Sequence, residues 1–333
     1  MNLLNTNDNI RSLQELTHLL SQTVEEARYG QDPLSLYEPI RYIMSLGGKR
    51  IRPLLTLLAH QLWQHNPEPA LQPALGVELF HNFSLMHDDI MDKAPLRRGQ
   101  PTVHARWNES TAILSGDVML VKAYERMMQV PDGLLRPVLE KFSQCAAEVC
   151  EGQQLDMEFE DQQGVSEAAY LDMIRRKTAV LLGFSLELGG IVAGADAEAC
   201  RHLYELGINM GIGFQLMDDL LDVYAEQEKF GKQVGGDIIA NKKTYLLINA
   251  RQRAAGSDAQ ELNSWLQQQE FDATEKVAAV TAIYDRLGIR ALTEAKIDEY
   301  FHEAFAALAA LPAPEARKAP LRQLMQALSK REK

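Results

Sequence analysis

The sequence predicts an all-α protein, folded as one domain of roughly a dozen helices. Three observations lead to this prediction. Apolar residues recur at three- and four-residue steps nearly throughout the chain, which is the spacing of one face of an α-helix. The segments between breaks are long and rich in Leu, Ala and Met, as in buried helices. The chain has no convincing strand pattern, fixed-period repeat or low-complexity linker, so residues 1–333 are interpreted as a single domain whose first eight residues are frayed.

The predicted helices can be followed from the N-terminus. Apolar steps of three or four residues mark the first two helices, at Leu13, Leu16, Leu20 and Val24, and then at Leu36, Ile40, Ile43 and Met44. Longer apolar segments follow at Ala70–Met91, Tyr170–Val192 and Ala197–Phe230. Short breaks separate the helices at Gly47–Gly48, Pro95–Gly99, Pro131–Gly133, Gly164, Gly235–Gly236 and Pro312–Pro314.

Composition narrows the class of protein. The chain is 46% hydrophobic and 24% charged with a formal net charge of -12, so nucleic acid is not an expected partner. Three cysteines without metal-ligand spacing (Cys145, Cys150 and Cys200) predict buried free thiols in a reducing compartment. The N-terminus lacks a signal-peptide pattern, and no stretch approaches the roughly 18 apolar residues of a membrane span. We therefore expect a cytoplasmic protein without stable membrane insertion.

Two aspartate clusters carry the strongest functional signal. Asp88, Asp89 and Asp92 lie in SLMHDDIMD, and Asp218, Asp219 and Asp222 lie in FQLMDDLLD. Residues four apart share a helix face, so the first and last carboxylates of each cluster project together. Carboxylates are costly in apolar helices unless a cation compensates them. Oxygen ligands favour Mg²⁺ or Ca²⁺, and Mg²⁺ commonly combines few carboxylates with water and phosphate oxygens. Two solvated acidic helix faces are the alternative interpretation.

Basic residues next to turns could complete a diphosphate site. Lys49, Arg50 and Arg52 follow a double glycine in GGKRIRP, and Arg97 and Arg98 follow the first aspartate cluster. Arginine matches phosphate geometry through paired hydrogen bonds. Further basic positions stand before or after the second cluster, at Lys177, Lys232 and Lys242. Each residue alone could be a solvated surface charge, and it is their placement around the clusters that indicates anion binding.

These motifs resemble those of the trans-isoprenyl diphosphate synthases, the family of farnesyl and geranylgeranyl diphosphate synthases. The resemblance covers about residues 35 to 250 and includes GGKRIRP, HNFSLMHDDIMDKAPLRRGQPTVH, ILSGDVML, Gly152-Gln153 with Asp156, RRKTAV, FQLMDDLLDV, and FGKQVGGD followed by NKKTY. It implies an all-α bundle around a deep central cavity, paired as a homodimer. It also implies a Mg²⁺-dependent condensation of isopentenyl diphosphate with an allylic diphosphate.

The resemblance further implies roles for individual residues. Metal ligands would be Asp88 and Asp92 on one side and Asp218 and Asp222 on the other. The allylic diphosphate would be held by Arg97, Lys177, Thr178, Gln215, Lys232 and Lys242, with Lys177 and Lys232 assisting ionisation. Isopentenyl diphosphate would be held by Lys49, Arg52, His81 and Arg98. The choice between Lys242 and Lys243 stays open, because many members have glycine and proline where this chain has Asn241 and Leu246.

Product length is expected to depend on the residues just before the first cluster. In the family this helix borders the growing tail, and here Phe83 and Ser84 lie five and four residues before Asp88. Five helical residues span about 7.5 Å, so Phe83 would lie below the metal site. A bulky residue there favours geranylgeranyl diphosphate, with farnesyl diphosphate as the alternative. Phe83 could also simply pack in the core.

Two other functions remain to be separated. A class I terpene cyclase also uses an aspartate-rich motif, but it would not need the second diphosphate site that Lys49, Arg52 and Arg98 suggest. A non-catalytic partner subunit would usually lack one aspartate motif, whereas both are complete here.

Overall fold

The computed structural model describes residues 10–162, 164–225 and 235–330, and these residues are almost entirely helical. The all-α prediction is confirmed. Contacts between residues group the chain into two compact units. The first contains Met1–Ala146, Leu181–Glu205 and Leu308–Leu324, and the second contains Ala147–Val180, Leu206–Ala307 and Met325–Lys333. That the two units form a single domain stays a prediction. The first eight residues, which were predicted to be frayed, lie outside the described residues.

The helices of the described residues are numbered in chain order. They are α1 (Leu13–Glu26), α2 (Leu34–Ser45), α3 (Ile51–Gln61), α4 (Glu68–Met91), α5 (Val103–Arg106), α6 (Glu109–Met127), α7 (Asp132–Asp161), α8 (Glu167–Ile174), α9 (Val180–Ala193), α10 (Ala197–Tyr224), α11 (Gly236–Ile239), α12 (Tyr245–Arg253), α13 (Gly256–Gln267), α14 (Ala273–Arg286), α15 (Ile289–Ala310) and α16 (Glu315–Ser329).

Local sequence signals explain where several helices begin. At the start of α1, the Glu15 amide donates to Ser12 Oγ and the Ser12 amide donates to the Glu15 carboxylate, which is a capping box. Asn108 and Thr244 cap α6 and α12 in a simpler way, by accepting a bond from an amide of the first turn. These contacts satisfy amides that have no partner inside their helix.

The first unit is built around α4. This helix packs along α6 and also against α3. Its buried face reaches an aromatic core, in which the Phe142 ring lies 5.3 Å from Phe80 and 5.7 Å from Phe184. An apolar surface on several sides of α4 explains why its sequence looks hydrophobic with weak amphipathic contrast.

The predicted Tyr170–Val192 helix is interrupted, and the second unit contains only its first part, up to Val180. Residues Arg175–Ala179 form a π-helical turn between α8 and α9. Such turns widen a helix locally and are frequent at functional sites. Periodicity cannot reveal one, because the extra residue changes the register without removing any apolar position.

Two details differ from the sequence predictions, and one prediction falls partly outside the described residues. Leu96–Arg97 and Gln100–Pro101 form a two-stranded antiparallel hairpin, so the absence of strands was wrong at this point. All three cysteines are free, but only Cys145 and Cys200 are buried, whereas Cys150 is exposed on α7. The end of the Ala197–Phe230 segment falls on residues outside the described part.

Within the described ranges, no helix combines the length and apolar character needed to span a membrane.

Candidate active site

The first aspartate cluster lies at the C-terminal end of α4. Asp88 is in the last turn and Asp92 is the C-cap, with its amide bonded to the Asp88 carbonyl at 2.9 Å. Asp89 points elsewhere, because its side chain is only 3% exposed and both carboxylate oxygens accept from Arg97 Nε at 2.9 Å. Arg97 Nη2 lies 2.7 Å from Asp89 and 3.6 Å from Asp88. Asp89 therefore holds Arg97 beside the proposed ligand Asp88.

The second basic residue of this pair is held over the double glycine. Arg98 Nη1 donates to the Gly47 carbonyl. Gly47 and Gly48 have φ values of 74° and 129°, and a Cβ on Gly48 would lie 2.9 Å from the Arg98 guanidinium carbon. Backbone conformation therefore favours glycine at both positions, and a Cβ on Gly48 would also displace the Arg98 guanidinium. The contact brings the GGKRIRP loop and the hairpin arginines together, which their separation in sequence does not indicate.

His81 and Arg52 meet near the same loop. Arg52 Nη1 lies 3.2 Å from His81 Nε2. Burial, together with the positive charges of Arg52 and Arg98, holds the pKa of His81 well below its usual value, so the ring is neutral. A neutral ring can accept from Arg52 at Nε2 and donate to a ligand at Nδ1. Lys49 is exposed at the loop itself.

In the second unit, Lys177 and Lys242 share one carboxylate. Lys177 Nζ, on the π-helical turn, lies 2.6 Å from Asp156 Oδ2 on α7, and Lys242 Nζ lies 3.9 Å from the same oxygen. Burial alone would raise the pKa of Asp156, but the charges of Lys242 and Lys177 outweigh it and leave the pKa lowered. Asp156 is thus ionised and anchors both lysines. Lys243 instead donates to the Glu160 carbonyl at 2.6 Å, which favours Lys242 as the residue available to a diphosphate.

Close packing places the Lys177 turn against α7. A Cβ on Gly152 would lie 2.2 Å from the Lys177 backbone nitrogen, far inside van der Waals contact. The backbone of the π-helical turn therefore rests directly on this glycine. Thr178 follows on the same turn and donates to Gln215 Oε1 at 3.1 Å.

In the second aspartate cluster, on α10, the middle aspartate is again the one that is buried against other side chains. Asp219 is buried and accepts from Tyr170 Oη and from Gln215 Nε2, the latter at 3.0 Å. Burial raises the pKa of Asp219. Asp218 and Asp222 are half-buried, and Asp222 Oδ2 accepts the Asp237 amide at 2.9 Å. Asp222 therefore also fixes the chain after α10.

The predicted chain-length residues lie inside the first unit. Phe83 is 8% exposed, and its ring lies 5.5 Å from Phe80 and 4.8 Å from His87. Ser84 Oγ donates to the His81 carbonyl. His87, which sequence analysis left without a role, lies 3.2 Å from the Ile113 carbonyl and packs on Gly116.

The roles of three side chains that organise these residues were not predicted from the sequence. Asp89 and Asp219 were members of the aspartate clusters without a predicted ligand role, and Asp156 was a motif residue without a role. The signal for the first two is available, because a residue one position after the ligand face points about 100° away from it on a helix. No sequence signal identifies Asp156 as the shared anchor of two lysines far apart in the chain. Lys232 lies outside the described residues, and its predicted role stays a prediction.

Comparisons with known proteins agree on one family. The family model described as polyprenyl synthetase matches residues 33–284. The chain is 42% identical over 228 residues to a geranylgeranyl diphosphate synthase of Methanosarcina mazei, covering 68% of this chain and 70% of the relative. It is 35% identical over 309 residues to a short chain isoprenyl diphosphate synthase of Methanothermobacter thermautotrophicus, covering 92% and 94%.

Solved structures give the same result. A crystal structure of a geranylgeranyl pyrophosphate synthase matches with a TM-score of 0.93 and 39% identity, covering 97% of this chain and 100% of the other. The geranylgeranyl pyrophosphate synthetase from Pyrococcus horikoshii matches with a TM-score of 0.86 and 34% identity, covering 95% of each chain. The chain thus belongs to the polyprenyl synthetase family of trans-isoprenyl diphosphate synthases, which are prenyltransferases.

Proposed function

We propose that this protein is a geranylgeranyl diphosphate synthase, which couples isopentenyl diphosphate to an allylic diphosphate. One observation carries the proposal beyond the family: each aspartate cluster has its own set of basic side chains. The first unit holds Arg97 and Arg98 at the first cluster, and the second holds Lys177 and Lys242 on Asp156. If Arg97, Lys177 and Lys242 hold the allylic diphosphate, Arg98 beside the Arg52–His81 pair is left for a second diphosphate, whereas a terpene cyclase binds one.

The donor atoms of both clusters suit Mg²⁺. Asp88 and Asp92 would bind it in the first cluster, and Asp218 and Asp222 in the second. Within the described residues, no group of three or more His, Cys, Asp or Glu side chains forms a metal cage by itself. That fits Mg²⁺, which binds through one or two carboxylates and completes its shell with water and substrate phosphates. When bound, Mg²⁺ would neutralise negative charge on the diphosphate.

The protein's own residues would orient both substrates. Lys177, Lys242 and Arg97 would donate to the allylic diphosphate, stabilising the charge that develops as its C–O bond breaks. Arg98, Lys49 and neutral His81 would hold isopentenyl diphosphate, whose double bond forms the new C–C bond before a proton is lost to the released diphosphate. Positioning the two substrates makes the coupling effectively unimolecular. The apolar surroundings of both clusters would keep water from the allylic cation.

We propose that the protein is a homodimer and that it works in the cytoplasm. Free Cys145, Cys150 and Cys200 support a reducing compartment. Exposed apolar side chains on α6 support pairing: Leu114 and Val121 are seven residues apart and more than half exposed. Sedimentation of the purified protein at the mass of two chains would agree with this assignment, and a monomer at micromolar concentration would contradict it.

Product analysis tests the proposed function. The purified protein is incubated with Mg²⁺, dimethylallyl diphosphate and excess labelled isopentenyl diphosphate, and twenty-carbon product is expected. No condensation would indicate a cyclase or a non-catalytic subunit, and fifteen-carbon product would establish the alternative synthase. Phe83→Ala should lengthen the product if Phe83 is the floor of the cavity. Phe305→Ala is the control, because Phe305 is a half-buried phenylalanine on α15 and not on α4, and it should leave product length unchanged.

A further inference from the structure

A ten-residue segment after the second aspartate cluster has little regular structure of its own. Residues 235–244 contain only the four-residue helix α11, and both Gly235 and Asn241 have positive φ, at 83° and 53°. The segment nevertheless carries Lys242, the residue proposed to hold the allylic diphosphate. Its position must therefore be fixed by contacts from neighbouring elements.

One fixed point is at the N-terminal end of α11. The Asp222 carboxylate accepts the Asp237 amide at 2.9 Å, and the Asp222 carbonyl accepts the Gly235 amide at 2.6 Å. The Lys242 amide then donates to the Asp237 carbonyl at 2.9 Å. A shift of α11 would thus move Lys242 and Asp222 together.

The other fixed point is a fully buried lysine on α14. Lys276 is 0% exposed, and its Nζ donates to the Ile239 carbonyl at 3.2 Å. This carbonyl belongs to the last residue of α11, where a positive charge is favourable. The Phe271 ring covers the ammonium at 4.0 Å. The next residue, Val277, lies against Gly235, where a Cβ would come within 2.5 Å of its side chain.

Stability alone does not explain this lysine. Among the described residues no carboxylate pairs with Lys276, and burial lowers its pKa. A buried ammonium with one carbonyl and one ring as partners is costly, and an unbranched apolar side chain such as methionine would fill nearly the same space. What the apolar side chain would lose is the directed bond to Ile239.

We infer that Lys276 is a positioning residue: its bond to the Ile239 carbonyl fixes α11, and thereby sets where Lys242 meets the allylic diphosphate. The inference rests on the proposed role of Lys242. The chain of contacts runs from Lys276 to Ile239, through α11 to Lys242, and on to Asp156, which also holds Lys177. Lys276 itself touches no substrate in this arrangement.

The test is Lys276→Met, which is unbranched and only one atom shorter, and which removes the charge. Amide hydrogen exchange on the free protein should speed up at least tenfold at Ala240, Asn241 and Lys242. The kcat/KM for the allylic substrate should fall at least tenfold, while the KM for isopentenyl diphosphate stays within twofold. Lys296→Met is the matched control, because Lys296 also lies over an aromatic ring, 5.5 Å from Tyr300, but outside this segment. It should change neither measurement.

The outcomes separate the inference from the function on which it rests. Unchanged hydrogen exchange, or an equal loss for both substrates, would overturn the positioning role. Faster exchange with unaltered allylic kinetics would overturn it as well, and Lys242→Ala in the same assay shows whether Lys242 has its proposed role. If Lys276→Met does not fold, Phe271→Leu uncovers the ammonium instead. In Phe271→Leu, hydrogen exchange should speed up and the allylic kcat/KM should fall, each by two- to fivefold. Values equal to those of the parent would refute the inference.

Discussion

The contact between Gly152 and the Lys177 turn predicts how far Gly152→Ala should lower kcat. In Gly152→Ala the new Cβ would lie 2.2 Å from the Lys177 nitrogen and 2.6 Å from its Cα. Ordinary contact begins at 3.4 Å, so the π-helical turn and α7 must separate by about 1.2 Å. Both clashing atoms are backbone, and rotation of a side chain cannot relieve the overlap. The Lys177 backbone must therefore move away from α7, the helix that also carries Asp156.

The displacement should affect catalysis more than folding. Overpacking of this kind costs about 1–3 kcal/mol of stability, which a folded domain of ordinary stability survives. The Lys177–Asp156 distance of 2.6 Å would open beyond a hydrogen bond. Misplacing a catalytic group by about 1 Å can cost roughly 100-fold in rate. We therefore expect kcat to fall about 100-fold while the circular dichroism spectrum stays helical.

A second glycine on the same helix provides the control. Gly133 has no atom within 4 Å of its hypothetical Cβ. Gly133→Ala should leave kcat unchanged and raise stability by up to about 1 kcal/mol, because alanine favours the helix. Steady-state kinetics and thermal unfolding of both variants decide the question. A folded Gly152→Ala enzyme with kcat within threefold of the parent would refute the steric argument.

Three further predictions concern charge. Asp88→Ala should lower turnover by orders of magnitude with little change in the thermal midpoint, because this carboxylate is proposed to hold Mg²⁺, which the free protein does not need to fold; turnover within a few-fold of the parent would contradict this. Lys49→Ala should raise the KM for isopentenyl diphosphate, and Arg97→Ala should raise the KM for the allylic substrate. Equal effects on both KM values in initial-rate kinetics would contradict the assignment of these residues to separate substrates. Burial lowers the pKa of His60 to about 4, so the unfolded chain binds more protons between about pH 4 and 6.5 and stability rises with pH across that window. The His60 contribution should reach about 3 kcal/mol across this window in urea unfolding, and His60→Leu should reduce the slope, leaving the part that His81 contributes in the same direction; an unchanged slope would exclude a contribution from His60.

The sequence by itself determined the fold class and the chemistry of the site. Helical spacing is a local property, so α4 could be predicted to within two residues at its start and to its last residue, at Met91. The two aspartate motifs and their neighbouring basic residues also lie within short stretches. Residue type and spacing were therefore sufficient to indicate metal and diphosphate, and the resemblance of these motifs to those of the trans-isoprenyl diphosphate synthases indicated the family before any contact was known.

Only the tertiary structure showed which of these carboxylates are buried against other side chains. Asp89 and Asp88 are chemically identical neighbours, yet one is buried on Arg97 and the other is left beside it. Asp156 meets Lys177 and Lys242, which are 21 and 86 positions away in the chain. Lys276 reaches Ile239 across 37 residues. Local patterns carry no information about such pairs, because burial and long-range contacts arise only when separate helices pack together.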